Sequence, residues 1–109
     1  MAVAVARFEV YLCNLDPAVG SEIRKSRPCV VISPDEMNRH LRTVIVAPMT
    51  TKSKDYPTRV ACDFAGTAGF VALDQLRTLD RTRLARRLGK LAAKDAEGVL
   101  GTLLALFAP

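Results

Sequence analysis

Arg27-Pro28-Cys29-Val30-Val31-Ile32-Ser33-Pro34 decides the fold class. The apolar run at its centre is short and β-branched, and prolines bound it on both sides. A run of this length without helical spacing reads as a buried strand. Proline also biases the residue before it towards an extended backbone, so Arg27 should project from a strand edge. Working outward, Val44-Ile45-Val46-Ala47 repeats the pattern before Pro48. Residues 8–15 form a further apolar run, ended by Asp16-Pro17 and Gly20. Residues 59–64 and 70–73 are two more strand candidates, separated by Gly66 and Gly69. Short strands punctuated by proline and glycine turns predict a mainly β chain, a small sheet or barrel.

The C-terminal end reads differently. Ala96, Val99, Leu100, Leu103, Leu104 and Phe107 follow the spacing of one helix face. Gly98 and Gly101 each cost about 1 kcal/mol relative to Ala in a helix. The helix therefore needs packing, on the sheet or on a second subunit. Asp35 to Leu41 suits a short helix between strands. The segment from Asp80 to Leu91 stays open: Asp80 can cap a turn over residues 81–84, and Leu84, Leu88 and Leu91 have helical spacing, but Gly89 argues against a helix.

The chain has 109 residues, the length of one domain, 1–109. Half of them are apolar, enough for a core, and the formal net charge is +5. A basic excess favours a polyanionic partner. Cys13, Cys29 and Cys62 lie in apolar runs at no metal-ligand spacing, which predicts buried free thiols in a reducing, cytoplasmic setting. Met1 to Ala6 are apolar but too short for a signal segment, and no run approaches the ~18 apolar residues of a membrane span. One histidine, no HExxH, no CxxC and no glycine-rich phosphate loop give no support for a metal site or cofactor.

Three polar segments flank the apolar runs: Gly20 to Pro28, Ala47 to Thr50 and Leu73 to Thr78. Arg27 offers a forked cation suited to two phosphate oxygens; its bland alternative is a surface ion pair with Glu22 or Asp35. Thr50 offers a hydroxyl for a phosphate or a 2′-hydroxyl, and Thr51 is chemically equivalent. Glu22 and Asp74 are both candidate bases, Glu22 alternatively holding an arginine and Asp74 alternatively pairing with Arg77 or Arg81. Ser21, Arg24, Lys25 and Lys52 are polar or cationic groups beside these, and Gln75 and Arg77 add groups suited to a base edge or a phosphate. His40, on the predicted short helix, lies away from these segments and reads as a surface or rim residue.

Leu15-Asp16-Pro17, Val19-Gly20-Ser21-Glu22, Arg27-Pro28, Ser33 to Arg39, Ile45 to Thr50 and Leu73 to Thr78 occur in that order, and together the chain resembles the MazF/PemK toxins. The resemblance implies a compact SH3-like barrel of short antiparallel strands with a C-terminal helix, working as a homodimer. It implies a metal-independent, sequence-specific endoribonuclease that cuts single-stranded RNA by 2′-hydroxyl attack, with Arg27 and Thr50 catalytic, and an acidic antitoxin as partner. Some relatives carry a histidine at the position of Ser21 and an arginine at that of Ala72. A related toxin type instead grips DNA gyrase without cutting RNA. The retained Arg27 and Thr50, and a chain ending Leu106-Phe107-Ala108-Pro109 without a polar tail, favour the nuclease.

Overall fold

The computed structural model describes residues 4–109, so Met1 to Val3 of the apolar run 1–6 lie outside the described residues. Seven strands and two helices follow in the order β1 (Glu9–Asn14), β2 (Ser26–Val31), α1 (Asp35–His40), β3 (Thr43–Thr50), β4 (Arg59–Phe64), β5 (Thr67–Ala72), β6 (Arg77–Asp80), β7 (Leu84–Lys90) and α2 (Ala93–Phe107). All strand pairs are antiparallel, and the path runs β4-β5-β3-β2-β1-β7 with β6 added beside β3. β3 joins the parts of the sheet. Its first half pairs with β6, its middle with β2 and its end with β5, so the sheet curls into a half-barrel. The expected mainly β fold with a C-terminal helix is what the chain forms.

The central strands read as continuous apolar runs because both their faces are buried. Val10, Val30 and Ala47 point into one core with Val71, Leu73, Leu91, Ala96 and Val99. Their neighbours Tyr11, Cys13, Cys29, Val31 and Val46 point into a second core with Leu15, Val44 and Leu79. All three cysteines are buried free thiols. Hydrogen bonding to Cys13 and burial push the Cys29 thiol well up, and burial pushes Cys62 up to about 11. Both are packing groups rather than nucleophiles.

Two expectations change. Five strands were legible and seven form: β6 begins in the polar segment Leu73 to Thr78 and ends at Asp80, and all of β7 lies in the open segment 80–91. Asp80 does cap a turn, accepting from the Thr82 amide at 2.9 Å over a short 3-10 turn at Arg81–Arg83. Beyond it, Leu84–Lys90 is a strand on β1, with breaks in register at Val10/Tyr11 and Leu12/Cys13. Gly89 has φ 154°, and a Cβ there would meet the Phe64 ring at 3.1 Å. Glycine therefore serves the bulged strand and its close neighbour. The predicted face of α2 is also only partly used. Ala96 and Val99 are buried, and burying a valine side chain stabilises by about 1.5–3 kcal/mol, enough to offset the two glycines. Leu104 and Phe107, at 75% and 72% exposure, extend past the sheet. Among the described residues no helix is long and apolar enough to cross a membrane.

Candidate active site

β2 and β3 pair at Val31↔Val46, Val30↔Ala47 and Cys29↔Pro48. Continued two residues further, the same register sets Arg27 opposite Thr50. Both side chains line one cleft of about 380 Å³. Thr51, chemically equivalent to Thr50, lines it too, and the remaining wall carries no candidate from the sequence: the β4–β5 hairpin from Phe64 to Phe70, and Leu88 of β7. The hairpin was legible as two strands about a Gly66 turn, but nothing local shows that its tip faces Arg27.

Arg27 is half-buried and has no carboxylate partner among the described residues. The ion pairs considered with Glu22 or Asp35 do not form. Its Nε donates to the Arg24 carbonyl at 3.2 Å, which aims the rest of the fork at the cleft. Thr50 closes a small turn: its hydroxyl donates to the Lys52 carbonyl at 2.9 Å and accepts from the Lys52 amide at 3.3 Å. The backbone behind it is tightly set. A Cβ at Gly69 would lie 2.8 Å from the Thr50 carbonyl oxygen, so only glycine fits there.

A second hollow of about 370 Å³ collects Ser21, Glu22, Asp74, Gln75, Leu76 and Arg77. Here the Gly20–Pro28 and Leu73–Thr78 segments meet, through ties between their own groups. Gln75 accepts from the Ile23 amide at 2.7 Å and donates to the Ser21 carbonyl at 3.3 Å. Arg77 donates to the Leu15 carbonyl at 3.0 Å. Glu22 holds no arginine; its carboxylate accepts from the Val19 amide at 2.6 Å and is otherwise exposed. Arg24 donates to Gly20, and Lys25 turns the loop into β2 with φ 69°, its amide on Asp16. Ser21, Arg24, Lys25 and Lys52 are exposed around the two hollows.

Asp74 corrects an expectation. Its partner is neither Arg77 nor Arg81 but Arg59, which the sequence marks only as the start of a strand. The pair is bidentate, Nε to Oδ1 at 2.6 Å and Nη2 to Oδ2 at 2.9 Å, and the Thr58 hydroxyl adds a third bond at 3.0 Å. The bonded Arg59 guanidinium holds the Asp74 carboxyl below its ordinary range; burial pushes the other way, and Thr58 assists the lowering. β4 and β5 pair Arg59 with Ala72. His40 ends α1, exposed, three residues before β3 begins and so at the far end of that strand from Thr50.

The chain matches known proteins over most of its length. The family model described as PemK-like, MazF-like toxin of type II toxin-antitoxin system matches residues 6–107. Endoribonuclease MazF of Staphylococcus saprophyticus is 38% identical over 100 residues, covering 85% of this chain and 82% of that protein. The crystal structure of MazF from Deinococcus radiodurans superposes with a TM-score of 0.84 at 30% identity, covering 96% of this chain and 97% of the other. An endoribonuclease from a mycobacterial species, solved in complex with its cognate antitoxin, gives 0.82 at 28% identity, covering 97% and 98%.

Proposed function

Since the chain belongs to the PemK-like, MazF-like family of toxins and is an endoribonuclease by that membership, we propose that it cuts single-stranded RNA without a metal in the cleft between Arg27 and Thr50. One observation carries this reading. A half-buried arginine, with no carboxylate partner among the described residues, lines the same open cleft as a threonine hydroxyl. A forked cation beside a hydroxyl suits a phosphodiester that gains negative charge during reaction.

In this mechanism the RNA supplies its own nucleophile. The 2′-hydroxyl loses its proton to the Glu22 carboxylate and its oxygen attacks the adjacent phosphorus. The bond to the 5′-oxygen breaks, leaving a 2′,3′-cyclic phosphate, and the departing oxygen takes a proton from solvent water to become a 5′-hydroxyl. Arg27 stabilises the added charge on phosphate and the leaving oxygen, and Thr50 holds the phosphate in line. Glu22 is preferred to Asp74 as base because its carboxylate carries one amide bond and faces solvent, whereas Asp74 is committed to Arg59. Arg24, Lys25 and Lys52 contact backbone phosphates, and Gln75 and Arg77 support the Ser21 loop against the substrate. DNA lacks the attacking hydroxyl and would bind without being cut.

The same reading treats residues 1–109 as one functional unit that pairs with a second copy. It assigns the basic surface, net +5, to an acidic antitoxin segment that covers the RNA site. The test is to incubate the protein with a long single-stranded RNA in EDTA and map the ends. Cleavage to 5′-hydroxyl products is expected. Intact RNA, or cleavage that requires a divalent cation, overturns the reading; intact RNA with inhibited gyrase would point to the gyrase-binding toxin type.

A further inference from the structure

We propose that Tyr56 is a stacking platform for one RNA base, set in place by Arg59 and Asp74; this deepens the RNA-cleaving reading above and rests on it. The chain has two tyrosines. Tyr11 is in the core, whereas Tyr56 is 48% exposed on the loop that follows Thr50. Six residues span at most about 20 Å, so Tyr56 lies within a few nucleotides of a phosphate held by Thr50.

The loop is built to present this ring. The Arg59 amide donates to the Tyr56 carbonyl at 3.0 Å, closing a four-residue turn with Pro57 in its second position, where a fixed φ suits the turn. The turn brings the Arg59 guanidinium over the Tyr56 ring, 5.7 Å from its centroid. Every guanidinium nitrogen is committed: Nε and Nη2 to Asp74, and Nη1 to the Ser53 hydroxyl at 3.2 Å. Arg59 therefore cannot swing to a phosphate without breaking the ion pair, and its side chain is only 13% exposed. It backs the ring of a residue that is 48% exposed. A flat, fixed, cation-backed aromatic face beside a phosphate site suits the π-face of an unpaired base. Asp74 is then a positioning residue: it fixes Arg59, which fixes Tyr56.

The test begins with an oligonucleotide spanning a cleavage site mapped on a long single-stranded RNA. Stacking of one base on an aromatic ring is worth about tenfold or more in affinity. Tyr56→Ala should raise KM about tenfold with kcat within about threefold of wild type. Its Tm should be unchanged, and Tyr56→Trp should restore KM. Arg59→Ala should raise KM less, and should add nothing in a Tyr56→Ala background, because both act through one contact. An abasic nucleotide at one position near the cut should weaken the wild type about tenfold and leave Tyr56→Ala indifferent. A Tyr56→Ala protein with wild-type KM, or one weakened as much as the wild type by every abasic substitution, overturns the platform. A wild-type protein that leaves RNA intact overturns the RNA-cleaving reading instead.

Discussion

Arg27 and Asp74 stand in neighbouring hollows, and both read in the sequence as catalytic candidates, yet their surroundings differ in kind. Arg27 gives one bond to a backbone carbonyl and turns its remaining donors to an open cleft. Asp74 takes three bonds from Arg59 and Thr58. A charged group acts on a substrate only with the bonding capacity its own fold leaves unused. The contrast separates a group available to a substrate from a group that builds the site, and it can be broken experimentally from either side.

The largest effect should come from the open side. Arg27→Ala and Glu22→Gln should each lower kcat by about 10²-fold or more, the scale of losing one preorganised charge donor or one general base. Both residues lie outside the two hydrophobic cores, so thermal unfolding should shift little. A folded Arg27→Ala protein that cuts RNA at the wild-type rate would remove the basis for the contrast.

How much of this could be read from the chain follows from where each contact partner lies. β2 and β3 were legible because both of their faces are buried, which leaves plain apolar runs between prolines. β7 was not, since Leu84, Leu88 and Leu91 mimic a helical repeat. The two breaks in its register with β1 spoil the alternation that would mark a strand. Arg27 and Thr50 were legible because each ends or precedes such a run. The commitments of Asp74 and Gln75 were hidden: Arg59 lies 15 residues away across a hairpin, and Ile23 and Ser21 lie 52 and 54 away. No local pattern announces a bond of that span.

A middle-sized effect should come from the backbone behind Thr50. Gly69→Ala forces a Cβ into the 2.8 Å approach to the Thr50 carbonyl, and no flexible side chain is there to yield. Thr50 must shift by a few tenths of an ångström or more, and a 1 Å misplacement can cost about 10²-fold. A loss of about tenfold in kcat is expected, with KM moving less. An unchanged kcat in the Ala variant would mean that the placement of Thr50 is not critical, and would weaken the pairing of Thr50 with Arg27.

The smallest effect tests the committed side. Asp74 is held below its ordinary carboxylate range, so its pairing with Arg59 contributes stability above the unfolded-state value near 3.8. That contribution disappears as pH falls through the lower folded value. Its size is modest because the Asp74 side chain is 36% exposed and the ion pair is screened: about 0.5 kcal/mol at pH 7. Asp74→Asn should therefore be slightly less stable than wild type in urea at pH 7, and the gap should close below about pH 4. Glu9 complicates the absolute curves: burial pushes it up, but hydrogen bonds from Ala6, Arg87 and Tyr11 outweigh that and hold it low too. Glu9 is present in both proteins, so the difference between the curves reports Asp74 alone. A gap that stays constant from pH 7 to pH 2 would show that the Arg59 pair contributes nothing to stability. Asp74 would then regain its standing beside Glu22 as a proton carrier, and the contrast with Arg27 would fail.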